Sequence, residues 1–245
     1  MKLAIISDIH SNLEALEAAL HDIKTQKVHT IYCTGDLVGY AANPNEVIDL
    51  LGQNRVKCLM GNHDYACFNQ PTMDEMTRNA RESIAFTKRV LTPESFDVLK
   101  KLPGFIRKNG IYLTHGLPPA LFLEYLDMQS THELKQAFSA FPEQVAFVGH
   151  THLFEVVELS DTGKIKKYEF DDDSKLDLKP GSQYLISTGS IGQPRDDNRE
   201  AGYLIYNTEI QQVIRRTFQY NVELTIKKIK AIGLPESNGR RLLKE

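Results

Sequence analysis

The sequence predicts an α/β fold built on two sheets, with a helical insertion. Three observations carry that expectation: β-rich runs alternate with amphipathic helices in the first third, strands are missing between about residues 72 and 102, and they return from residue 111 onward. In the first third the strand runs are LAIIS (Leu3 to Ser7), IYCT (Ile31 to Thr34) and VKCLM (Val56 to Met60). Between them Leu13, Leu16, Leu20 and Ile23 recur at helical spacing. In the second helix Asn43 is placed to cap, Pro44 suits the first turn, and Val47, Ile48 and Leu51 form the apolar face. This βαβα order predicts helices covering a parallel sheet.

From Thr72 to Leu102 the apolar positions Ile84, Phe86, Val90, Leu91, Phe96, Leu99 and Leu102 read as helix, and Pro93 starts a second one. This stretch is expected to be an insertion, or cap, in one domain covering residues 1–245. Beyond it IYLT, VAFV, LFEVVEL, KIKKYEF, YLIST, GYLIY and QVIRRTFQY are strand runs. Two sheets are therefore the expectation rather than one. Phe170 to Gly181 reads as a polar surface loop, Val222, Ile226 and Ile229 as the inner face of a helix, and the tail after Leu234 as weakly structured.

The chain has 245 residues, 41% hydrophobic and 25% charged, enough apolar content for one sizeable core. A net charge of -3 provides no general basic field to gather nucleic acid or an anionic membrane surface. Cys33, Cys58 and Cys67 have no paired spacing, which points to a reducing, cytoplasmic home. The opening MKLAIISDIH has an apolar run too short for a signal-peptide core or a membrane span.

The informative residues are polar. SDIH, GD, GNHD, THG and GHTH each follow a predicted strand, at the edge where open α/β sheets bind ligands. Asp8, His10, Asp36, Asn62, His63, His115, His150 and His152 can therefore meet although they span most of the chain. Taken singly, each is an ordinary turn or surface residue. Core packing, however, does not select carboxylates and imidazoles together, because a buried charge costs several kcal/mol unless it is paired or bound to a cation. A metal centre accounts for all the groups at once. The donors exceed what one tetrahedral ion uses, and a carboxylate can bridge two ions, so a binuclear site fits. Such a site, with ions about 3.5 to 4 Å apart, activates water and neutralises phosphoryl oxygens.

The ordered set DIH, GD, GNHD, HG and GHTH resembles the calcineurin-like metallophosphoesterases. GDLVGYAANPNEVIDLL and STGSIGQPRDDN further resemble the small prokaryotic phosphodiesterase and diadenosine tetraphosphatase-like subgroup, so the likeness reaches to about Tyr220. The resemblance implies a four-layer αββα sandwich of two mixed β-sheets, with the helical cap overhanging the metals. It assigns Asp8, His10, Asp36 and His152 to one ion and Asp36, Asn62, His115 and His150 to the other. His63 would face the phosphate, either protonating the leaving oxygen or stabilising its charge. Asp64 either orients the loop or the imidazole, or serves as a turn former or N-cap.

One departure matters. Phosphoprotein phosphatases of this superfamily carry GDxVDRG, whereas this chain has Gly39 and Tyr40 in the second Asp and Arg places. A phosphate-gripping arginine must then come from elsewhere; Arg195 is the candidate, the alternative being a surface pair with Asp196 or Asp197. Tyr40 and Asn43, close after Asp36, are candidates to line a pocket, with Tyr40 as a packing residue the simpler reading. The expected function is hydrolysis of a small phosphomonoester or phosphodiester, possibly nucleotidic in kind, by in-line attack of metal-bound hydroxide. The expected cofactors are two divalent ions, Mn2+ or Fe first and Zn2+ or Ni2+ after them. The competing readings are a phosphoprotein phosphatase, a nuclease, which the charge does not favour, and a catalytically silent scaffold, which should lack some of these ligands.

Overall fold

A computed structural model of the chain describes residues 1–120, 122–171, 174–196 and 199–243. Its elements run β1 (Lys2–Ile6), α1 (Leu13–Thr25), β2 (Thr30–Cys33), α2 (Pro44–Gln53), β3 (Lys57–Cys58), α3 (Asn62–Ala66), α4 (Gln70–Glu75), α5 (Arg78–Val90) and α6 (Pro93–Lys100). They continue with β4 (Phe105–Lys108), β5 (Ile111–Thr114), α7 (Thr131–Ser139), β6 (Val145–Val148), β7 (Phe154–Leu159), β8 (Ile165–Glu169) and β9 (Lys175–Asp177). The chain closes with β10 (Gln183–Thr188), β11 (Gly202–Asn207), β12 (Gln212–Thr217), α8 (Val222–Ala231) and α9 (Glu236–Arg240).

Among the described residues the strands form two six-stranded sheets, ordered β3-β2-β1-β11-β12-β9 and β4-β5-β6-β10-β7-β8. Each is mixed. In the first, β1 pairs parallel with β2 and antiparallel with β11; in the second, β10 pairs parallel with β6 and antiparallel with β7. The central strands are apolar on both faces because each sheet is covered twice. Leu3 and Ile5 of β1 join Val145, Phe147, Tyr184 and Ile186 in the layer between the sheets, while Ala4 and Ile6 pack with Leu16, Leu20 and Ile23 of α1. On the outer face of the second sheet Ala146, Val148 and Leu185 pack against Leu134 and Phe138 of α7. This is the four-layer αββα arrangement.

Several local expectations change. The strand read over Val56 to Met60 shrinks to Lys57 and Cys58, because it is a sheet edge and Met60 N turns away to donate to Pro103 O at 2.9 Å. The stretch read as a surface loop contains β9, which pairs antiparallel with β12 and places Leu176 and Leu178 at a strand's alternate positions; Asp172 and Asp173 lie outside the described residues. β4 and α7 are not among the elements read from the sequence, although Ser130 and Glu133 form a reciprocal capping box at the start of α7. Asn43 is the N-cap residue of α2 without a side-chain cap bond; its Nδ2 donates instead to Glu46 Oε1 at 3.0 Å. The tail after Leu234 is not loose. It forms α9, with Leu234 and Leu242 buried against Ala41 and Ile229.

Candidate metal centre

The parallel strands deliver the polar loops to one rim. Asp8 and His10 follow β1, Asp36 follows β2, Asn62 and His63 open α3 after β3, His115 follows β5, and His150 and His152 follow β6. Asp8, His10, Asp36, His150 and His152 all have positive φ, between 52° and 70°. Residues with a Cβ pay for that conformation with about 1–3 kcal/mol each, and such strain concentrates where side chains must be aimed.

Three tight groups result, each with its donor atoms within 4.8 Å of one another: Asp8, His10 and His152; His10, Asp36 and His63; Asp36, His115 and His150. The two carboxylates are held alike. Asp8 Oδ2 accepts from His150 N at 3.1 Å, leaving Oδ1 at 3.3 Å from His152 Nε2. Asp36 Oδ1 accepts from His63 N at 2.9 Å, leaving Oδ2 at 3.4 Å from His115 Nε2 and 3.7 Å from His10 Nε2. Each carboxylate therefore spends one oxygen on a backbone N–H and turns the other inward.

The imidazoles are aimed by carbonyls. His10 Nδ1 faces Val38 O at 3.2 Å, His115 Nδ1 faces Thr34 O at 2.9 Å, and His152 Nδ1 faces Gln193 O at 2.5 Å. A carbonyl can only accept, so in the neutral rings of His10 and His152 the proton sits on Nδ1 and the Nε2 lone pair points into the cluster. Burial holds His10 and His152 well below the ordinary histidine range, so both are neutral near neutral pH. Their Nε2 atoms nevertheless stand 3.1 Å apart. Two lone pairs at that distance repel unless a cation lies between them and the carboxylates.

Other atoms tell the same story. Asp8 Oδ1, His63 Nδ1 and His150 Nε2 are buried without a hydrogen-bond partner. Burial lifts Asp8 to about 7, with Asp36 adding repulsion. His115 is driven down by burial, yet the Asp36 charge and hydrogen bond win and raise it to about 9. Protein groups alone thus leave this cluster short of positive charge. Divalent cations supply it, and imidazole with carboxylate is a donor set suited to transition ions.

The profile of the calcineurin-like phosphoesterase superfamily domain matches residues 1–211. The chain belongs to that superfamily. It is a metal-dependent phosphoric ester hydrolase. An uncharacterized protein of Methanocaldococcus jannaschii is 34% identical over 250 residues, covering 98% of this chain and 96% of that one. A metallophosphoesterase from Sphaerobacter thermophilus is 32% identical, with a TM-score of 0.85 over 100% of this chain and 98% of the other. A hypothetical protein from Pyrococcus horikoshii OT3 has a TM-score of 0.79 at 21% identity, over 99% and 98% of the two chains, a likeness of fold.

Within this calcineurin-like phosphoesterase the remaining sequence candidates fall as follows. Asp64 is fully buried and does not reach the His63 ring: Oδ1 accepts from Leu37 N at 2.9 Å and Val38 N at 3.2 Å, and Oδ2 from Gly61 N at 2.9 Å. It locks the GD and GNHD loops to each other through these backbone N–H groups. His63 lies against His10 and Tyr40, with ring centroids 4.6 and 4.7 Å apart, and burial pushes it down to about 4. Tyr40 is therefore more than packing; its ring walls the cluster. The Gly39 departure has a steric cause. A Cβ on Gly39 would lie 2.4 Å from His63 Nδ1, so the imidazole occupies the room that an aspartate would need.

Arg195 is exposed; its Nη2 donates to Gln193 Oε1 at 3.3 Å, and it lines one cavity with Tyr40 and Tyr125. Asp196 pairs with Arg215 at 2.8 Å, and Asp197 lies outside the described residues. Sequence reasoning missed Tyr125, whose ring stacks on His150 at 3.9 Å. Nothing local marks it, because the contact bridges loops from different strands. A cavity of about 260 Å³ opens over Asn62, His63 and His150, and Thr72 and Glu75 of α4 with Met76, Thr77 and Ala80 line its other side.

Proposed function

We propose that this chain holds two divalent ions and hydrolyses small phosphomonoesters or phosphodiesters, nucleotides among them. The single observation that carries the binuclear reading is the Asp36 carboxylate, whose Oδ2 faces His10 on one side and His115 on the other at 3.7 and 3.4 Å. One ion would be held by Asp8, His10, Asp36 and His152, and the second by Asp36, Asn62, His115 and His150. When bound, the ions supply an activated water and neutralise charge on the phosphate; Mn2+ or Fe is the proposed pair, with Zn2+ or Ni2+ as alternatives.

The protein's own residues do the rest. Buried Asp8 and Asp36 fix the ligand geometry through backbone N–H groups, so little reorganisation is needed during reaction. His63, wedged beside His10 and Tyr40, donates its ring N–H to a phosphate or leaving-group oxygen. Arg195 grips a phosphate oxygen at the mouth. The α4 and α5 residues that face the metals across the cavity act as a cap, inserted in a single domain, that chooses substrates. The ring filling the Gly39 space weighs against a phosphoprotein phosphatase, and the net charge against a nuclease. All three cysteines are free thiols, in keeping with a reducing cytoplasm; no described helix is long and apolar enough to cross a membrane.

The test is turnover of p-nitrophenyl phosphate and bis(p-nitrophenyl) phosphate by Mn2+-loaded protein. His63→Ala should lower kcat by about 10²- to 10⁴-fold while elemental analysis still finds both ions. Full activity in that variant removes the role of His63. Stoichiometric metal with no turnover across a broad phosphoester panel revives the silent scaffold.

A further inference from the structure

The C-terminal segment from Gln212 to Leu243 lies beyond the matched family domain, yet it returns to the metal cleft. Asn238 of α9, 1% exposed, donates Nδ2 to Tyr40 O at 3.0 Å and to Ser83 Oγ at 2.9 Å. Arg199 Nη1 donates to Leu243 O at 2.7 Å. Together with the burial of Leu234 and Leu242, these bonds fasten the tail to the loop that carries Tyr40.

The docked tail sets Arg241 at a second cavity, of about 390 Å³, lined also by Tyr40, Tyr125, Pro194, Arg195 and Arg199. Tyr40 and Tyr125 line the metal cleft as well, so the two spaces adjoin across these rings. Among the described residues no carboxylate lines the second cavity. Arg195 and Arg241 are both exposed at this cavity, and two guanidinium groups offer the fork geometry that suits phosphate.

We propose that this annexe is a second anion subsite, in which Arg241 and its neighbours hold a further phosphate of a substrate whose scissile phosphate sits at the metal cluster. The preferred substrates are then phosphoesters bearing two or more phosphate groups. This rests on the phosphoesterase reading above, and the C-terminal tail becomes a specificity element.

Hydrolysis of adenosine 3′,5′-bisphosphate and of adenosine 5′-monophosphate by the Mn2+-loaded full chain tests it, alongside tripolyphosphate binding to the same preparation by calorimetry. Wild type should favour the bisphosphate at least ten-fold in kcat/KM. Arg241→Ala should cut that preference ten-fold or more and weaken tripolyphosphate binding, whereas Arg241→Lys should restore part of both. Arg241 is exposed, so the variants should melt as wild type does. No preference in wild type, or one that Arg241→Ala leaves intact, overturns the subsite. If wild type cleaves neither nucleotide nor the p-nitrophenyl esters, the phosphoesterase reading fails separately, and the calorimetry still decides: a tripolyphosphate isotherm unchanged in Arg241→Ala overturns the subsite.

Discussion

Oδ2 of Asp36 stands 3.4 Å from Nε2 of His115, while Oδ1 of the same carboxylate is tied to the His63 backbone N–H at 2.9 Å. One residue thus links the inward-facing imidazoles to the loop that carries the proposed proton donor. That division of labour fixes where each oxygen can go.

Asp36→Asn keeps the shape and removes the charge. Its ion content by elemental analysis should fall, and kcat/KM should drop by roughly 10²-fold or more, at least the cost of disturbing a metal's outer support. Chelation of wild type should likewise lower the melting temperature, because ions at about a hundred times their Kd contribute about 2.7 kcal/mol. A melt that is insensitive to chelator would contradict ion binding at this cluster.

Gly39→Ala should act on His63 rather than on the metals. The added Cβ meets Nδ1 at 2.4 Å, and the backbone at φ +103° resists any side chain. We expect turnover to fall by about 10²-fold or more, as when an acid–base group is displaced, with ion content unchanged. Wild-type turnover in this variant would show that the ring has room to spare.

Glu155 gives a pH dependence remote from the cluster. Burial raises its carboxyl from 4.5 to about 7, with Asp127 and the directly opposed Glu169 adding repulsion. The fold favours the protonated form, so its stabilising contribution is complete below about pH 4.5 and is lost as pH rises through about 7. Glu155→Gln imitates the protonated state. At pH 8 it should be more stable than wild type by about 1–2 kcal/mol, discounted for partial exposure. Denaturant melts at pH 8 and pH 4.5 check this: the gap should close at the lower pH, and a constant gap would refute the assignment.

Asn238→Ala should loosen the tail. Two buried hydrogen bonds disappear, to Tyr40 O and Ser83 Oγ, at a cost of about 1–3 kcal/mol. Differential scanning calorimetry should show a lower midpoint, and limited proteolysis should cut first after α8. Unchanged resistance at the tail would mean that Leu234 and Leu242 suffice to hold it.

The sequence determined the βαβα start, the helical stretch through α5 and α6, and the set of polar residues after five strands, because period and turn chemistry are local properties. Parallel pairing then forces Asp8, Asp36 and Asn62 to one edge of the first sheet and His115 and His150 to one edge of the second, and only the packing of the two sheets brings those edges together. Tertiary structure alone decided the rest. The role of Asp64 depends on which backbone N–H groups two separate loops present to it, and the need for glycine at position 39 depends on a ring from another loop. Tyr125, Asn238 and Arg241 carry no local signature, since their meaning comes from packing between segments far apart in the chain. Residues 175–177 read as loop until β12 supplied a partner, for a strand's hydrogen bonds are completed by its neighbour and not by itself.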